Sequence, residues 1–376
     1  MDKPLAGLKV LELARILAGP WAGQLLADLG AEVIKVERPG VGDDTRHWGP
    51  PFAADGAAAY FHACNRGKGS VAIDLNSPDG QAQVRALAAE ADVLIENFKV
   101  GGLARYGLEY ASLAEINPGL VYCSITGFGQ NGPYADRAGY DFIIQGMGGA
   151  MSLTGEPDGE PQKSGIAYAD LFTGLYSTVA VLAALRERDR SGRGAHIDMA
   201  LLDSQVAVLG NQALNWMVSG KVPHRMGNGH ANLVPYQAFR VADGKVIVAV
   251  GNDRQFGRLC AIIGLPELAR DGRFATNPAR VVNRAELIPI LEGAIRDRRR
   301  QEFSEALEAA GIPAGPINAV DAVFADPQVV ERAMKLDGAI PGLASPIVID
   351  GVRQTAEPGG PRLASGKASW RAPPGD

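Results

Sequence analysis

Short apolar runs alternate with helical patterns through the first half of the chain. Strands are predicted at residues 8–13 and 32–36, with a helical pattern over residues 22–29 between them. The alternation continues with strands at residues 71–75, 92–96, 120–125 and 195–200. Such a succession of strands and helices is typical of an α/β fold with a mostly parallel sheet.

Helical patterns lie between and after these strands. Ser77 followed by Pro78 is typical of a capping residue and a proline in the first helical turn, and this helix is predicted to extend through residues 81–90. Longer helices are predicted at residues 170–188 and 201–218.

The second half of the chain has a different pattern. Residues 219–235 are rich in Gly, Pro, Asn and His, and a β-hairpin is predicted at residues 236–241 and 245–250. Charged helical patterns at residues 283–298 and 300–310 complete a smaller α+β unit.

After this unit the chain is expected to return to the first one. Residues 321–335 are predicted to be helical and residues 346–352 strand-like, and the Pro- and Gly-rich tail from Glu357 is expected on the surface. The predicted organisation is a large Rossmann-like domain of residues 1–218 and 321–376, a linker of residues 219–235 and a small α+β domain of residues 236–320.

The composition is that of an ordinary globular protein. Of the 376 residues, 46% are hydrophobic and 21% are charged, and the formal net charge is −5. A nucleic-acid-binding protein would need a basic face, so no nucleic-acid partner is expected. No segment approaches the ~18 uninterrupted apolar residues of a membrane span, so we expect no membrane association and a cytoplasmic location.

The residue types that often bind metals are not spaced for it. Cys64, Cys123 and Cys260 lie far apart in the sequence, and the five histidines have no metal-ligand spacing. The chain also contains no G-x-S-x-G hydrolase motif. No metal site is therefore expected.

The opening strand–helix–strand pattern suggests a dinucleotide fold, in which Glu37 would bind a ribose. Residues 14–23, however, have the sequence Ala-Arg-Ile-Leu-Ala-Gly-Pro-Trp-Ala-Gly, without the first two glycines of the phosphate loop. The backbone could not then approach a pyrophosphate closely. The sequence predicts a Rossmann-like sheet that does not bind NAD.

Basic residues recur instead near the ends of the predicted strands. They are Arg15, Arg38, Arg66, Lys68, Lys99 and Arg105. Open α/β sheets bind ligands at the carboxyl ends of their strands, and cations collected there suit a ligand with several phosphates. The alternative is that these are scattered surface charges.

Asp170 is a lone carboxylate where a short apolar segment gives way to a long helical pattern. It could cap the helix by accepting hydrogen bonds from the first free amides. It could also be held there, partly desolvated, as a nucleophile or base. The residues around it leave both interpretations open.

A series of short sequence motifs carries a resemblance to a known family that covers roughly residues 5–349. They are GLKVLEL (7–13), DLGAEVIKVERPG (28–40), NRGK (65–68), ENF (96–98), SITGFGQNGP (124–133), GYD (139–141), Asp170, GRG (192–194), RMGN (225–228), IPAGPI (312–317) and ADPQ (325–328). In this order they resemble the class III CoA-transferases, which include formyl-CoA and carnitine CoA-transferases and are related to α-methylacyl-CoA racemases.

The resemblance implies a Rossmann-like large domain and a small domain joined by long linkers, with two chains interlocked as a homodimer. Asp170 matches the family's nucleophilic aspartate, and Tyr140 and Asp141 match positions beside the reacting carbonyl. The positions matching the family's CoA contacts are Arg38, Lys68, Asn97, Phe98 and Arg105, to which we add Arg15. A lid over the site is expected from Gly227, Asn228, Gly229 and His230.

The reaction that the resemblance implies is transfer of CoA from an acyl-CoA to a carboxylic acid. Asp170 would form a mixed anhydride with the acyl group and then a thioester with CoA. Acyl-CoA is a substrate in this scheme, and no metal or tightly bound cofactor is expected.

Two positions depart from particular relatives. Formyl-CoA transferases carry a run of glycines where this chain continues with residues 229–236, GHANLVPY, which favours an acid larger than formate or oxalate, such as a larger dicarboxylic or a branched acid. Racemases have a histidine at the position of Tyr140, and a tyrosine is protonated at neutral pH and is a poor base. The alternatives are an acyl-CoA racemase or epimerase and a CoA-binding homologue without catalysis.

Overall fold

The computed structural model describes residues 3–371, which form two compact units. The large unit comprises the residues up to 150, residues 163–210 and the residues from 326 onward. The small unit comprises residues 151–162 and 211–325. Residues 1–2 and 372–376 of the predicted large domain lie outside the described residues.

A parallel sheet of six strands forms the centre of the large unit. The strands are β1 Lys9–Glu12, β2 Glu32–Glu37, β3 Lys68–Ala72, β4 Val93–Glu96, β5 Val121–Thr126 and β6 His196–Ala200. They are arranged in the order β3-β2-β1-β4-β5-β6, and every neighbouring pair is parallel. The predicted α/β fold with a Rossmann-like sheet is confirmed. The strand order reverses between β1 and β4, which is where open sheets of this kind bind ligands.

Helices cover both faces of the sheet. Up to residue 207 the chain forms the helices α1 Ala18–Asp28, α2 Ala59–Ala63, α3 Pro78–Glu90, α4 Tyr110–Ile116, α5 Asp141–Met147, α6 Ala150–Leu153, α7 Tyr168–Ser191 and α8 Leu201–Ala207. On one face, Leu26 of α1 and Val181 of α7 pack on the strands, and on the other face Val84 of α3 and Leu113 of α4 do so. Burying such a side chain contributes roughly 1.5–3 kcal/mol, so both layers stabilise the sheet.

The predicted start of α3 is confirmed at the level of single atoms. The Ser77 hydroxyl accepts a hydrogen bond from the Gly80 amide at 3.0 Å, and Pro78 is the first helical residue. Proline is favourable there because its missing amide would have no partner within the helix.

Helix α7 has one buried face and one exposed apolar face. Thr173, Ser177 and Val181 are buried, whereas Phe172 and Val179 are among the exposed apolar side chains. With 24 residues and a mean hydropathy of 1.4, α7 is long and apolar enough to cross a membrane by these two criteria alone. Its packing against the sheet is that of a core helix.

The prediction of one long helix over residues 201–218 was wrong. The structure has two helices there, α8 and α9 Asn211–Ser219. They are separated at Gly210, whose φ of +52° lies in the left-handed region that ends a helix.

The small unit contains an antiparallel sheet with helices packed against it. Its remaining elements are β7 Tyr236–Val241, β8 Gly244–Ala249, α10 Asp253–Ile263, α11 Asn277–Val282, α12 Arg284–Ile295, α13 Arg300–Ala309, β9 Ala314–Pro316 and α14 Val320–Ala325. Strands β7 and β8 form the predicted hairpin, and β9 pairs with β8. Phe239, Phe256 and Phe303 lie in the core of this unit.

The region after residue 320 is less regular than predicted. Helix α14 ends at Ala325, and a separate helix, α15 Pro327–Glu331, is capped by Asp326, which accepts a hydrogen bond from the Gln328 amide at 2.9 Å. The predicted helix of residues 321–335 is therefore broken, since Pro327 cannot continue α14. Two short hairpins follow, formed by β10 Lys335–Leu336 with β11 Gly342–Leu343 and by β12 Val348–Ile349 with β13 Val352–Arg353.

The C-terminal tail lies along the surface of the large unit. The Trp370 indole donates a hydrogen bond to the Leu87 carbonyl at 3.1 Å, and the Gly360 amide donates to His62 Nδ1 at 3.0 Å. The tail is thus on the surface, as expected, but is bound to it by specific hydrogen bonds.

Candidate functional site

A cavity of about 540 Å³ lies in the large unit at the carboxyl ends of β1 and β4. Its walls come mainly from the segments that follow β1, β4 and β5, and Asp170 completes the lining. This is the crevice where the strand order reverses. The predicted site residues that line it are Arg15, Asn97, Phe98, Arg105, Tyr140 and Asp170.

Asp170 lies in the first turn of α7 and is 9% exposed. Among residues 3–371, no hydrogen bond reaches its carboxylate. Burial raises the pKa of this carboxyl to about 7, and the nearby charge of Asp141 acts in the same direction. A buried carboxylate with no hydrogen-bonding partner that opens onto a cavity is available for chemistry.

Asp141, not Asp170, caps helix α7. Its Oδ1 accepts hydrogen bonds from the amides of Ala169 at 2.9 Å and Asp170 at 3.4 Å. Its Oδ2 accepts one from the side-chain Nε2 of Gln145 at 2.6 Å, and Gln145 Oε1 accepts one from the backbone amide of Ser164. The capping interpretation of Asp170 was therefore wrong, because a carboxylate from an earlier part of the chain takes that role.

Two tyrosines lie close to the carboxylate pair. Tyr140 precedes α5, is 58% exposed and lines the cavity. Tyr60 is half-buried, and burial raises its pKa to about 12, with a further contribution from the charges of Asp170 and Asp141. The sequence analysis missed Tyr60, since it belongs to no motif and only the fold brings it near Asp170.

Arg15 and Arg38 share one carboxylate partner. Asp44 Oδ2 lies 3.0 Å from Arg15 Nη1, and Asp44 Oδ1 lies 2.5 Å from Arg38 Nη2. Arg15 lines the cavity, whereas Arg38 is half-exposed and is connected to it through Asp44. The Nε atom of Arg15 is buried and has no hydrogen-bonding partner among residues 3–371.

Three further cations line the same cavity. They are Lys99, Arg105 and Arg137, and all three are exposed. Arg105 donates a hydrogen bond to the Tyr106 hydroxyl at 2.5 Å, and Arg137 lies 4.5 Å from the centre of the Tyr134 ring. The sequence analysis missed Arg137, because it lies in a loop and not directly after a strand.

Asn97 and Phe98 have different surroundings. The Asn97 side chain is bound to the backbone of Arg15, accepting from its amide at 2.9 Å and donating to its carbonyl at 2.6 Å. It therefore fixes the segment after β1. Phe98 is half-buried, and the Arg15 guanidinium lies 5.8 Å from the centre of its ring.

The structure does not bring Lys68 to the cavity. Its side chain is fully buried, and its ammonium donates to Glu12 at 3.0 Å, to the Pro20 carbonyl at 2.7 Å and to Asn65 at 2.9 Å. All three donor positions are occupied. A direct contact between Lys68 and CoA would require this network to open.

The predicted lid residues belong to the small unit and form hydrogen bonds within their own loop. Gly227 has a φ of +56°, and the Gly229 amide donates to the Met226 carbonyl at 2.9 Å. His230 Nδ1 accepts hydrogen bonds from the amides of residues 232 and 233 at 3.0 and 3.1 Å. Asn228 lies between the two glycines in this turn. The segment is a folded loop whose role as a lid remains a prediction.

The structure gives no support to a dinucleotide site, a metal site or a reactive thiol among the described residues. Glu37, which would bind ribose in a dinucleotide fold, accepts two hydrogen bonds from Arg46 at 2.8 and 2.7 Å and one from Ser70 at 2.6 Å. Within residues 3–371, no group of three or more His, Cys, Asp or Glu side chains could hold a metal ion. Burial raises the pKa of the Cys64 and Cys123 thiols to about 12.

Comparison with known proteins identifies the family. The sequence profile of CoA-transferase family III matches residues 5–366. The chain is 54% identical to the succinate–glutarate CoA-transferase of Agrobacterium fabrum, over 97% of this chain and 94% of that protein. It is 45% identical to the human succinyl-CoA:glutarate CoA-transferase, over 89% of this chain and 76% of the human protein.

A solved structure supports the same assignment. The fold matches the crystal structure of a CAIB/BAIF family protein from Brucella suis with a TM-score of 0.86, 59% sequence identity and coverage of 97% of both chains. The profile and these relatives span nearly the whole chain, and the predicted family is confirmed. The chain therefore belongs to CoA-transferase family III and is an enzyme that transfers CoA from an acyl-CoA donor to a carboxylic acid.

Proposed function

We propose that this enzyme exchanges CoA between small dicarboxylic acids, with Asp170 as the group that is acylated. The observation that carries the proposal is the state of the Asp170 carboxylate. It is 9% exposed and opens onto a cavity that Arg15, Lys99, Arg105 and Arg137 also line. A carboxylate that only stabilised the helix would accept the amide hydrogen bonds that Asp141 accepts.

The first half of the reaction loads CoA onto the enzyme. The Asp170 carboxylate attacks the thioester carbonyl of the donor, the carbon–sulfur bond breaks, and CoA leaves as a thiolate from a mixed anhydride. The thiolate then attacks the aspartyl carbonyl of that anhydride. This step forms an aspartyl-CoA thioester and releases the donor acid as a carboxylate.

The second half repeats these steps in reverse with the acceptor. The acceptor carboxylate attacks the aspartyl thioester, forming a new mixed anhydride and releasing CoA thiolate. The thiolate attacks the acceptor's carbonyl, which gives the new acyl-CoA and regenerates the Asp170 carboxylate. Each step exchanges one acyl bond for another, so no metal or redox group takes part in the scheme.

The cations around the cavity suit the phosphates of CoA. Arg15, Lys99, Arg105 and Arg137 line one space of about 540 Å³, and Arg38 is connected to it through Asp44. Phe98 offers an apolar surface in the same wall.

Asp141 and Tyr140 have separate roles in this proposal. Asp141 fixes the start of α7 and raises the pKa of Asp170 through its charge. Tyr140 lines the cavity, and we assign it a position beside the reacting carbonyl. Water must be excluded because it would hydrolyse the anhydride.

An exposed apolar surface of the large unit supports assembly into a homodimer. It includes Phe142, Ile143, Phe172, Leu175, Tyr176 and Val179. An apolar surface of this kind on a single chain marks an interaction site. We propose that a second copy of the chain covers it, and sedimentation velocity should then give a dimer at micromolar concentration. A monomer with full activity would contradict this.

The choice of substrate acids rests on the relatives and on the sequence of residues 229–236. Both named relatives act on succinate or succinyl-CoA and on glutarate. A dicarboxylic acid presents a second carboxylate, and a site built to pair with it strongly disfavours an acid that lacks it. We therefore propose succinate and glutarate as a donor and acceptor pair.

An exchange assay tests this proposal. With succinyl-CoA as donor, glutarate should give glutaryl-CoA, and formate should react with a kcat/KM at least about tenfold lower, measured by chromatography of the CoA esters. Equal rates with both acids would contradict the assignment of dicarboxylic acids. The same mixture in deuterated water without acceptor should give no deuterium at the α-carbon, and its incorporation would favour a racemase.

A further inference from the structure

One loop separates the proposed CoA cavity from a second, smaller cavity. Lys99, Val100 and Gly102 line both the cavity of about 540 Å³ and a second cavity of about 60 Å³. The loop of residues 97–102 is therefore a shared wall. A side chain that binds the loop from the smaller cavity therefore also affects the position of the loop residues that line the larger cavity.

Glu96 lines the smaller cavity and binds this loop from that side. It is the last residue of β4 and is 6% exposed. Its Oε2 accepts a hydrogen bond from the Phe98 amide at 2.7 Å, which fixes the loop at its first turn. Its side chain is also hydrogen-bonded to that of Ser124, which lies directly opposite on β5.

Ser124 extends this contact to the edge of the sheet. Its hydroxyl lies 2.9 Å from His196 Nε2, and His196 is the exposed first residue of β6, stacked on Tyr110 with ring centres 5.0 Å apart. A serine hydroxyl carries one proton and can donate it toward either neighbour. Glu96, Ser124 and His196 thus form a continuous hydrogen-bonded chain from solvent to the buried end of β4.

The surroundings of Glu96 allow it to titrate near neutral pH. Burial raises the pKa of this carboxyl to about 7, against the hydrogen bonds from Ser124 and Phe98, which favour the ionised form. The titratable and charged groups that line the small cavity with it are Lys99, Glu109, Tyr110, Tyr122 and His196. Asp198 lies next to His196 on β6 and opposite Ser124.

We propose that Glu96 is a positioning residue for CoA, which in its ionised form holds the 97–102 loop in the conformation that binds CoA. The inference rests on the proposed location of CoA in the larger cavity. A charged acceptor holds an amide more strongly than a neutral one, so protonation of Glu96 weakens its hold on Phe98. CoA affinity should therefore be high above neutral pH and fall as the pH decreases through the range where Glu96 is protonated.

Calorimetric titration of the full-length protein with CoA between pH 6 and pH 8.5 tests this. At pH 8.5, Glu96→Gln should bind CoA about tenfold more weakly than the wild type. At pH 6 the two dissociation constants should converge, because the wild-type side chain is then also neutral. The ratio of the two constants removes the pH dependence of CoA itself and of Asp170, which both proteins share. A ratio of one at every pH, with both proteins folded by circular dichroism, would overturn the proposal.

Two further variants make the result decisive. Ser124→Ala removes a hydrogen bond that favours the ionised carboxylate, so the midpoint of the pH dependence should move to higher pH; an unchanged midpoint would contradict the proposal even if Glu96→Gln did not fold. Arg105→Ala tests only the location of CoA and should weaken binding at every pH. If Arg105→Ala binds CoA normally, the proposed site is wrong, whereas a loss there without an effect at Glu96 overturns this inference alone.

Discussion

Replacement of Asp170 with alanine is expected to reduce kcat for CoA exchange by at least about 10⁴-fold, because the proposed acyl intermediates form on its carboxylate. The side chain lies in the wall of the cavity and is bound by no hydrogen bond from residues 3–371, so its removal should leave the fold intact. The measurement is the initial rate of glutaryl-CoA formation from succinyl-CoA, with the thermal midpoint as a check on folding.

Two comparisons separate the chemistry from packing. Asp170→Asn keeps the shape of the side chain and should be as inactive as Asp170→Ala, because an amide is a poor nucleophile. In the wild type, kcat/KM should fall about tenfold per pH unit below the Asp170 pKa of about 7, since only the ionised carboxylate attacks. Substantial activity of either variant would contradict the assignment.

Replacement of Glu12 with glutamine should lower the free energy of unfolding by about 3–5 kcal/mol. Glu12 lies on β1 between two buried lysines, 3.0 Å from Lys35 and 2.8 Å from Lys68, and none of the three side chains is exposed. Lys35 retains a second carboxylate, Asp43, at 2.9 Å, but Lys68 has no other anionic partner among residues 3–371. The substitution therefore leaves a buried ammonium without an opposite charge.

Urea unfolding at pH 7.5 measures this loss, and the chain offers a matched control. Glu90 pairs with Lys9 at 3.0 Å, but it is 63% exposed, so Glu90→Gln should change the free energy of unfolding by less than about 1 kcal/mol. A loss below 1 kcal/mol for Glu12→Gln would show that the buried network contributes little.

The sequence predicted features that depend on neighbouring residues. The strands of the central sheet are recognisable as short apolar runs, and the start of α3 follows from Ser77 and Pro78 because a cap acts within one helical turn. The hairpin of β7 and β8 was also predicted, because its two strands are joined by a turn of adjacent residues. The helix breaks at Gly210 and Pro327 were missed. The apolar periodicity on both sides of each residue predicted a continuous helix, although a single glycine or proline is enough to end one.

Features that depend on contacts between distant segments could not be predicted. Asp141 caps a helix that begins 27 positions later, and nothing near Asp170 in the sequence indicates this partner. Lys68 belongs to the basic NRGK motif of residues 65–68, yet the fold buries it against Glu12. Residues 151–162 group with the small unit although they have no distinctive composition. The family resemblance located Asp170, but only the structure shows that its carboxylate accepts no hydrogen bond from residues 3–371.

The most direct test is to identify the residue that carries CoA during turnover. The enzyme is mixed with succinyl-CoA, quenched with acid and digested, and the peptides are analysed by mass spectrometry. A CoA thioester on the side chain of Asp170, converted to a hydroxamate by hydroxylamine and absent from Asp170→Ala, is the predicted result. Turnover without any adduct on the Asp170 peptide, or an adduct on another residue that persists in Asp170→Ala, would contradict it.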